Sequence, residues 1–85
     1  MKNRGLFRHK LGKFSIPSTM LEDYPGVVQE ILSTVIPVRA EFMFENNNIN
    51  YTAISHSFEA LPCGNVVPWY TAYIENNRFV KWVKE

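Results

Sequence analysis

Cysteine, histidine and long apolar runs are scarce in this sequence, and each scarcity excludes a class of chemistry. One cysteine, Cys63, cannot form an internal disulfide or a cysteine-based zinc site. The only histidines are His9 and His56, and no spacing of His, Asp or Glu supplies three or four metal ligands. No stretch approaches the roughly 18 apolar residues of a membrane-spanning helix. We therefore expect no metal, no other cofactor and no association with a membrane.

Catalytic motifs are lacking as well. His56 and Cys63 could in principle form a nucleophile pair, but no motif surrounds them and no third group would orient them. The adjacent carboxylates of Glu22 and Asp23 point in different directions on a helix, which favours a charged helix start over an acid/base pair. There is no glycine-rich phosphate loop. We expect a protein that is not an enzyme and has no catalytic residues.

The start of the chain does not resemble a secretory signal. Leu6-Phe7 is followed at once by Arg8-His9-Lys10, whereas a signal peptide needs an apolar core of roughly 7–15 residues. Together with the single cysteine, this favours a cytoplasmic location. Because 46% of the 85 residues are hydrophobic, the chain can build one small domain over residues 1–85.

Charge is unevenly distributed along the chain, although the net charge is only +1. Residues 1–13 form a basic arm without any acid, and the remaining residues carry four bases and all eight acids. The arm can bind an anion such as nucleic-acid phosphate, lie across the acidic body of its own domain, or remain solvated. Its anion-binding residues would be Lys2, Arg4, Arg8, Lys10 and Lys13.

The first half of the chain predicts one strand and one broken helix. An N-terminal strand is expected from about Lys10 to Ile16. Thr19 and Glu22 have the spacing of a capping box, and Pro25 then separates a turn at 19–24 from a main helix at 25–35. Helical spacing puts four apolar side chains of the main helix on one buried face. They are Val28, Ile31, Leu32 and Val35.

The second half predicts two hairpins with asparagine-rich turns. The first joins a strand from Val38 to one that ends near Phe58, around Asn46-Asn47, with Phe44 opposite Ile49, Phe42 opposite Tyr51 and Ala40 opposite Ala53. A bulge is expected near Ile54-Ser55. The second joins residues 69–75 and 78–84 around Asn76-Asn77. The expected fold is α+β, a single helix on a four-stranded antiparallel sheet with an additional N-terminal strand, in β-α-β-β-β-β order.

Alternation gives the second hairpin two apolar faces. Its aliphatic set should join the core, which leaves an aromatic set on the outer side, where such residues are typical of binding hot spots. That outer set is Trp69, Tyr73, Val80 and Trp82. We therefore expect a non-enzymatic module that binds a protein partner or itself, in a format typical of phage- or mobile-element-encoded inhibitors and modulators of host proteins. The alternative is a small nucleic-acid-associated protein that uses the basic arm.

Overall fold

Five strands and two short helices make up the part of the chain that the structure, a computed structural model, describes: residues 10–60 and 66–85. In chain order they are β1 (Leu11–Pro17), α1 (Ser18–Asp23), α2 (Pro25–Ser33), β2 (Ile36–Met43), β3 (Asn48–Ile54), β4 (Tyr70–Glu75) and β5 (Arg78–Lys84). Every strand pair within the sheets is antiparallel. The α+β class and the N-terminal strand are thus confirmed.

The expectation of one four-stranded sheet is wrong. Strand β3 lies between β1 and β2 in a three-stranded sheet, and β4 and β5 form a separate two-stranded sheet. The physical reason is that β1 occupies the second edge of β3, so this edge is closed to the C-terminal hairpin. The two sheets meet at a parallel bridge between Lys13 and Trp69, where the Lys13 N–H donates to the Pro68 carbonyl at 2.9 Å.

The helical segment is broken at Tyr24, as the proline predicted. Tyr24 has φ −136°, its N–H donates to the Met20 carbonyl at 2.8 Å, and Pro25 occupies the first turn of α2. The predicted capping box is not formed, because α1 starts at Ser18 after Pro17 and has no side-chain cap. No helix among the described residues has the length and hydrophobicity needed to cross a membrane.

The core lies where α2 covers one face of β1 and β3 and where the C-terminal hairpin closes over them. Gly12 is essential to this closure, because a Cβ there would lie 2.7 Å from the Phe58 ring and 2.8 Å from the Tyr70 ring. Those two rings stack with centroids 4.3 Å apart. The buried apolar residues are Phe14, Ile16, Val27, Val28, Ile31, Val35, Ala53, Phe58 and Tyr70.

The first hairpin keeps its predicted faces but not its predicted pairs. Its turn covers residues 44–47, so Phe42 pairs with Ile49 and Ala40 with Tyr51. This register differs from the expected one by two residues, and an even shift leaves each side chain on the same face. The bulge lies at Val38 in β2, and β3 simply ends at Ile54.

The second hairpin follows its predicted register only next to the turn. Asn76 and Asn77 both have positive φ, 54° and 61°, as a two-residue hairpin turn requires. Ile74 pairs with Phe79, as a two-residue turn at Asn76-Asn77 requires, but the register then shifts, so that Tyr73 pairs with Lys81 and Ala72 with Trp82. The extra residue is Val80, and it exchanges the two faces for the rest of β5.

Candidate protein-interaction site

The outer side of the C-terminal hairpin carries a group of exposed apolar side chains. Tyr70, Ala72 and Ile74 of β4 point inward, so Tyr73 points outward, and the bulge turns Val83 to the same side. We call this surface the outer hairpin face. Its four residues, with their exposed fractions, are Trp69 (38%), Tyr73 (44%), Val80 (48%) and Val83 (43%).

Two lysines lie beside the aromatic rings of the outer hairpin face. Lys13 Nζ lies 5.8 Å from the centre of the Trp69 ring, and Lys81 Nζ lies 6.0 Å from the centre of the Tyr73 ring. Cation–π contacts of this kind hold a ring and an ammonium group side by side at the surface. Among the described residues, neither lysine forms an ion pair with a carboxylate.

Trp82 does not belong to the outer hairpin face, and this part of the sequence interpretation is wrong. Its ring packs against Phe14 at 4.7 Å, Phe79 at 5.3 Å and Phe58 at 5.4 Å between ring centres. Its Nε1–H donates to the Thr34 hydroxyl at 3.3 Å. The bulge at Val80 is the cause, because strict alternation would have placed Trp82 outside. Trp82 therefore ties β5 to β1 and to the end of α2.

The structure brings together three of the four predicted interface residues and adds one that sequence reasoning missed. Trp69, Tyr73 and Val80 are exposed together, and Val83 joins them. A usable signal was present in the sequence: Phe79 and Trp82 are two large aromatic residues at a spacing of three, which alternation cannot place on one face without a bulge.

Glu30 of α2 fixes the turn end of the hairpin. Its carboxylate accepts hydrogen bonds from Arg78 Nε at 2.6 Å and from the Phe79 N–H at 2.9 Å. The hydrogen bond from the Phe79 N–H, followed by that from Arg78, lowers the pKa of Glu30. Glu75 lies opposite Arg78 in the hairpin, but the two form no ion pair among the described contacts.

The other end of the hairpin is fixed by the segment that follows β3. The Glu59 N–H donates to the Tyr70 hydroxyl at 2.8 Å, and Lys84 Nζ donates to the Glu59 carboxylate at 2.7 Å. The hydrogen bond to Glu59 raises the pKa of Lys84. Contacts at both of its ends thus anchor the hairpin to the rest of the described chain.

The predicted anion-binding residues are only partly within the described chain. Lys2, Arg4 and Arg8 lie outside the described residues. Lys10 lines a cavity of about 190 Å³ near the end of α2, and Lys13 lies on the outer face of the three-stranded sheet. A positive neighbour was missed, because Lys13 and Arg39 both pair with Thr52 and so share one row of the sheet.

That row of the sheet borders a shallow polar cavity of about 160 Å³. Lys13, Arg39 and Trp69 line it together with Glu41 and Asn50. Cross-strand neighbours of this kind follow from register, and the register of β1 on β3 could not be deduced from local sequence. Residues 10–60 and 66–85 contain no group of three or more His, Cys, Asp or Glu side chains arranged for a metal ion.

No protein family, curated protein or solved structure matches this chain.

Proposed function

We propose that this chain is a non-enzymatic protein-binding domain that modulates its partner, with the outer hairpin face as its docking surface. The observation that carries the proposal is the grouping of Trp69, Tyr73, Val80 and Val83, each 38–48% exposed, on one side of a small hairpin. Tryptophan and tyrosine are the residue types most enriched at binding hot spots. Burying them against a partner would remove apolar area from water, which stabilises a complex by about 25 cal/mol per Å².

The contacts that anchor the hairpin at both ends support this proposal. Glu30 holds the turn end and Glu59 holds the other end, so the outer hairpin face does not need to be ordered when a partner binds. Preorganised surfaces avoid the entropy cost of fixing side chains and backbone on association. On the inner side of the hairpin, Trp82 packs against Phe14 and so joins the hairpin to the core.

The lysines at Trp69 and Tyr73 indicate the chemistry of the partner. A surface with apolar rings and flanking ammonium groups is complementary to an apolar patch with acidic residues at its rim. Such an arrangement would raise the association rate at low salt, whereas the buried rings would determine the dissociation rate.

The test is site-specific photo-crosslinking in lysate of the source cells. A photoreactive amino acid replaces Tyr73 in one variant and Phe44 in a matched control, because Phe44 is 85% exposed but lies at the far hairpin turn. We expect a protein to be captured through position 73 and not through position 44. Trp69→Ala should then weaken binding of the captured protein by roughly 30-fold, as expected for a hot-spot residue. Equal binding by Trp69→Ala and the unmodified chain would overturn the proposal.

A second candidate function is binding of single-stranded nucleic acid. The observation that favours it is the row of Lys13 and Arg39 beside Trp69, because cations and an exposed ring are what such proteins use for phosphates and bases. The basic arm would add Lys2, Arg4, Arg8 and Lys10. A salt titration separates the two candidates: affinity for a single-stranded oligonucleotide should fall steeply with salt, and Lys13→Gln should reduce the slope.

A further inference from the structure

Strand β2 has a second edge that no described strand pairs with. It lies at the end of the order β1-β3-β2, and all of its residues from Ile36 to Phe42 are exposed. An edge of this kind presents unpaired backbone N–H and C=O groups and is a template for another strand. The outer hairpin face lies on the other sheet, so this edge is a separate surface.

The pairing of β2 with β3 determines which side chains share a face. Arg39 pairs with Thr52 and Glu41 with Asn50, and both lie on the outer face of the sheet, away from α2. Ala40 and Phe42 lie on the opposite face, because they pair with Tyr51 and Ile49. The strand therefore carries one positive and one negative charge on its outer face and apolar groups on its inner face.

We propose that β2 pairs antiparallel with β2 of a second copy of this chain, with Ala40 opposite Ala40 of the second copy. In this register Arg39 lies opposite Glu41 of the second copy, and by symmetry Glu41 lies opposite Arg39 of the second copy. Val38, the bulge residue of β2, lies opposite Phe42 of the second copy. Opposite charges and apolar pairs placed directly across two strands stabilise a sheet. The result is one sheet of six strands that spans two molecules.

Charge selects this register over its neighbours. The smallest change of register that keeps the outer faces of the two molecules' sheets on the same side moves the centre of symmetry by one residue along β2. Centring the pair on Arg39 places the two Arg39 side chains opposite each other, and centring it on Glu41 places the two Glu41 side chains opposite each other. Like charges directly across two strands are destabilising, so only the register centred on Ala40 satisfies both residues.

The remainder of β2 is compatible with this pairing. Residues Arg39–Met43 pair with β3 without interruption, whereas the bulge at Val38 and the missing N–H of Pro37 end the regular ladder. Phe42 and Phe44 form an edge-to-face pair with ring centres 4.7 Å apart and are 42% and 85% exposed. Association along β2 would cover this apolar pair at both ends of the new interface.

The experiment is a charge-reversal cycle followed by sedimentation equilibrium on the full chain. We expect a concentration-dependent mass that rises from 9.9 kDa toward twice that value. Arg39→Glu and Glu41→Arg should each weaken the dimer about tenfold, because each creates like charges at two symmetry-related pairs. The double variant should restore the dimer, because it exchanges the signs and keeps each pair opposite. High salt should weaken the unmodified dimer and strengthen the single variants.

Controls separate this effect from net charge and from unfolding. Lys81→Glu changes the net charge as much as Arg39→Glu does but lies on the hairpin, and it should leave the dimer intact. Among the described residues neither Arg39 nor Glu41 forms an ion pair within the monomer, so at concentrations at which the unmodified chain is monomeric the variants should melt like it. A chain that remains monomeric at about 1 mM, where even about −4 kcal/mol of association would be visible, overturns the proposal. So does a dimer that is insensitive to the cycle, or one that Lys81→Glu dissociates.

Discussion

At the scale of single residues, Gly12 is needed for a close approach and not for an unusual backbone angle. The rings of Phe58 and Tyr70 lie directly over its backbone, at distances that a Cβ would violate. Both rings are buried, with 1% and 4% of their surface exposed, so neither can move aside without disturbing the core.

We therefore predict that Gly12→Ala destabilises the protein by about 1–3 kcal/mol, the usual cost of overpacking a core. Gly26→Ala is the matched control, because Gly26 is exposed in the first turn of α2 and has no atom within 4 Å of an added Cβ. It should be neutral or stabilising by up to about 1 kcal/mol, since alanine favours a helix. Urea denaturation measures both, and equal midpoints for the two variants would contradict this account of Gly12.

The two tryptophans provide a second contrast between residues. Trp82→Ala should cost about 3 kcal/mol of stability, because three aromatic rings and the hydrogen bond to Thr34 depend on it. Trp69→Ala should change stability by about 0.5 kcal/mol or less while it weakens partner binding. Thermal melts of both variants check this. If Trp69→Ala proved the more destabilising, Trp69 would be a structural residue and the outer hairpin face would lose its anchor.

At the scale of elements, one carboxylate joins α2 to the C-terminal hairpin. Glu30 is the partner of both the Arg78 side chain and the Phe79 N–H, which anchors the turn end of β5 on the helix. Because these hydrogen bonds lower the pKa of Glu30, its contribution to stability is fully present above about pH 4.5. That contribution is lost as the pH falls through the lowered pKa.

We predict that Glu30→Gln lowers the melting temperature at pH 7 and that this difference shrinks as the pH falls below the ordinary carboxyl range. The amide can still accept from Phe79 but no longer attracts Arg78 as a charge. Melts from pH 7 to about pH 3 test the trend. The control is Glu75→Gln, because Glu75 lies on the same hairpin as Arg78 but forms no ion pair among the described contacts. It should change the melting temperature less than Glu30→Gln does. A Glu30→Gln difference that is the same at every pH would exclude a role for its charge.

Local signals in the sequence were sufficient for most elements. Pro25 predicted the break between the helices, alternation predicted the faces of β2 and β3, and Asn76-Asn77 predicted the second turn. Each of these depends on neighbours in the chain. The bulges at Val38 and Val80 depend on tertiary packing, and the second of them moved Trp82 from the expected site into the core.

At the scale of the whole molecule, the largest difference from expectation is a long-range pairing. Strand β1 pairs with β3, from which α1, α2 and β2 separate it in the chain, and no local pattern specifies that partner. The same pairing brings Lys13 into one row with Arg39, and a separate parallel bridge places Lys13 next to Trp69. The free edge of β2 follows from its place at the end of the order β1-β3-β2, and the make-up of the outer hairpin face follows from the bulge in β5.

The last prediction concerns whether these two sheets unfold together. Phe58 belongs to neither sheet, yet its buried ring stacks on Tyr70 of β4, meets the edge of Trp82 of β5 and lies over Gly12 of β1. Loss of this ring should therefore destabilise both sheets. Phe58→Ala should lower the free energy of unfolding by about 3–5 kcal/mol out of a total of about 5–15 kcal/mol. Hydrogen exchange read residue by residue should show protection falling equally in β3 and in β5, since a domain of this size unfolds as one unit. Phe44→Ala, which alters an exposed side chain, should leave the protection of both strands unchanged. Loss of protection in β5 alone would mean that the hairpin is a separate unit held only at its ends by Glu30 and Glu59.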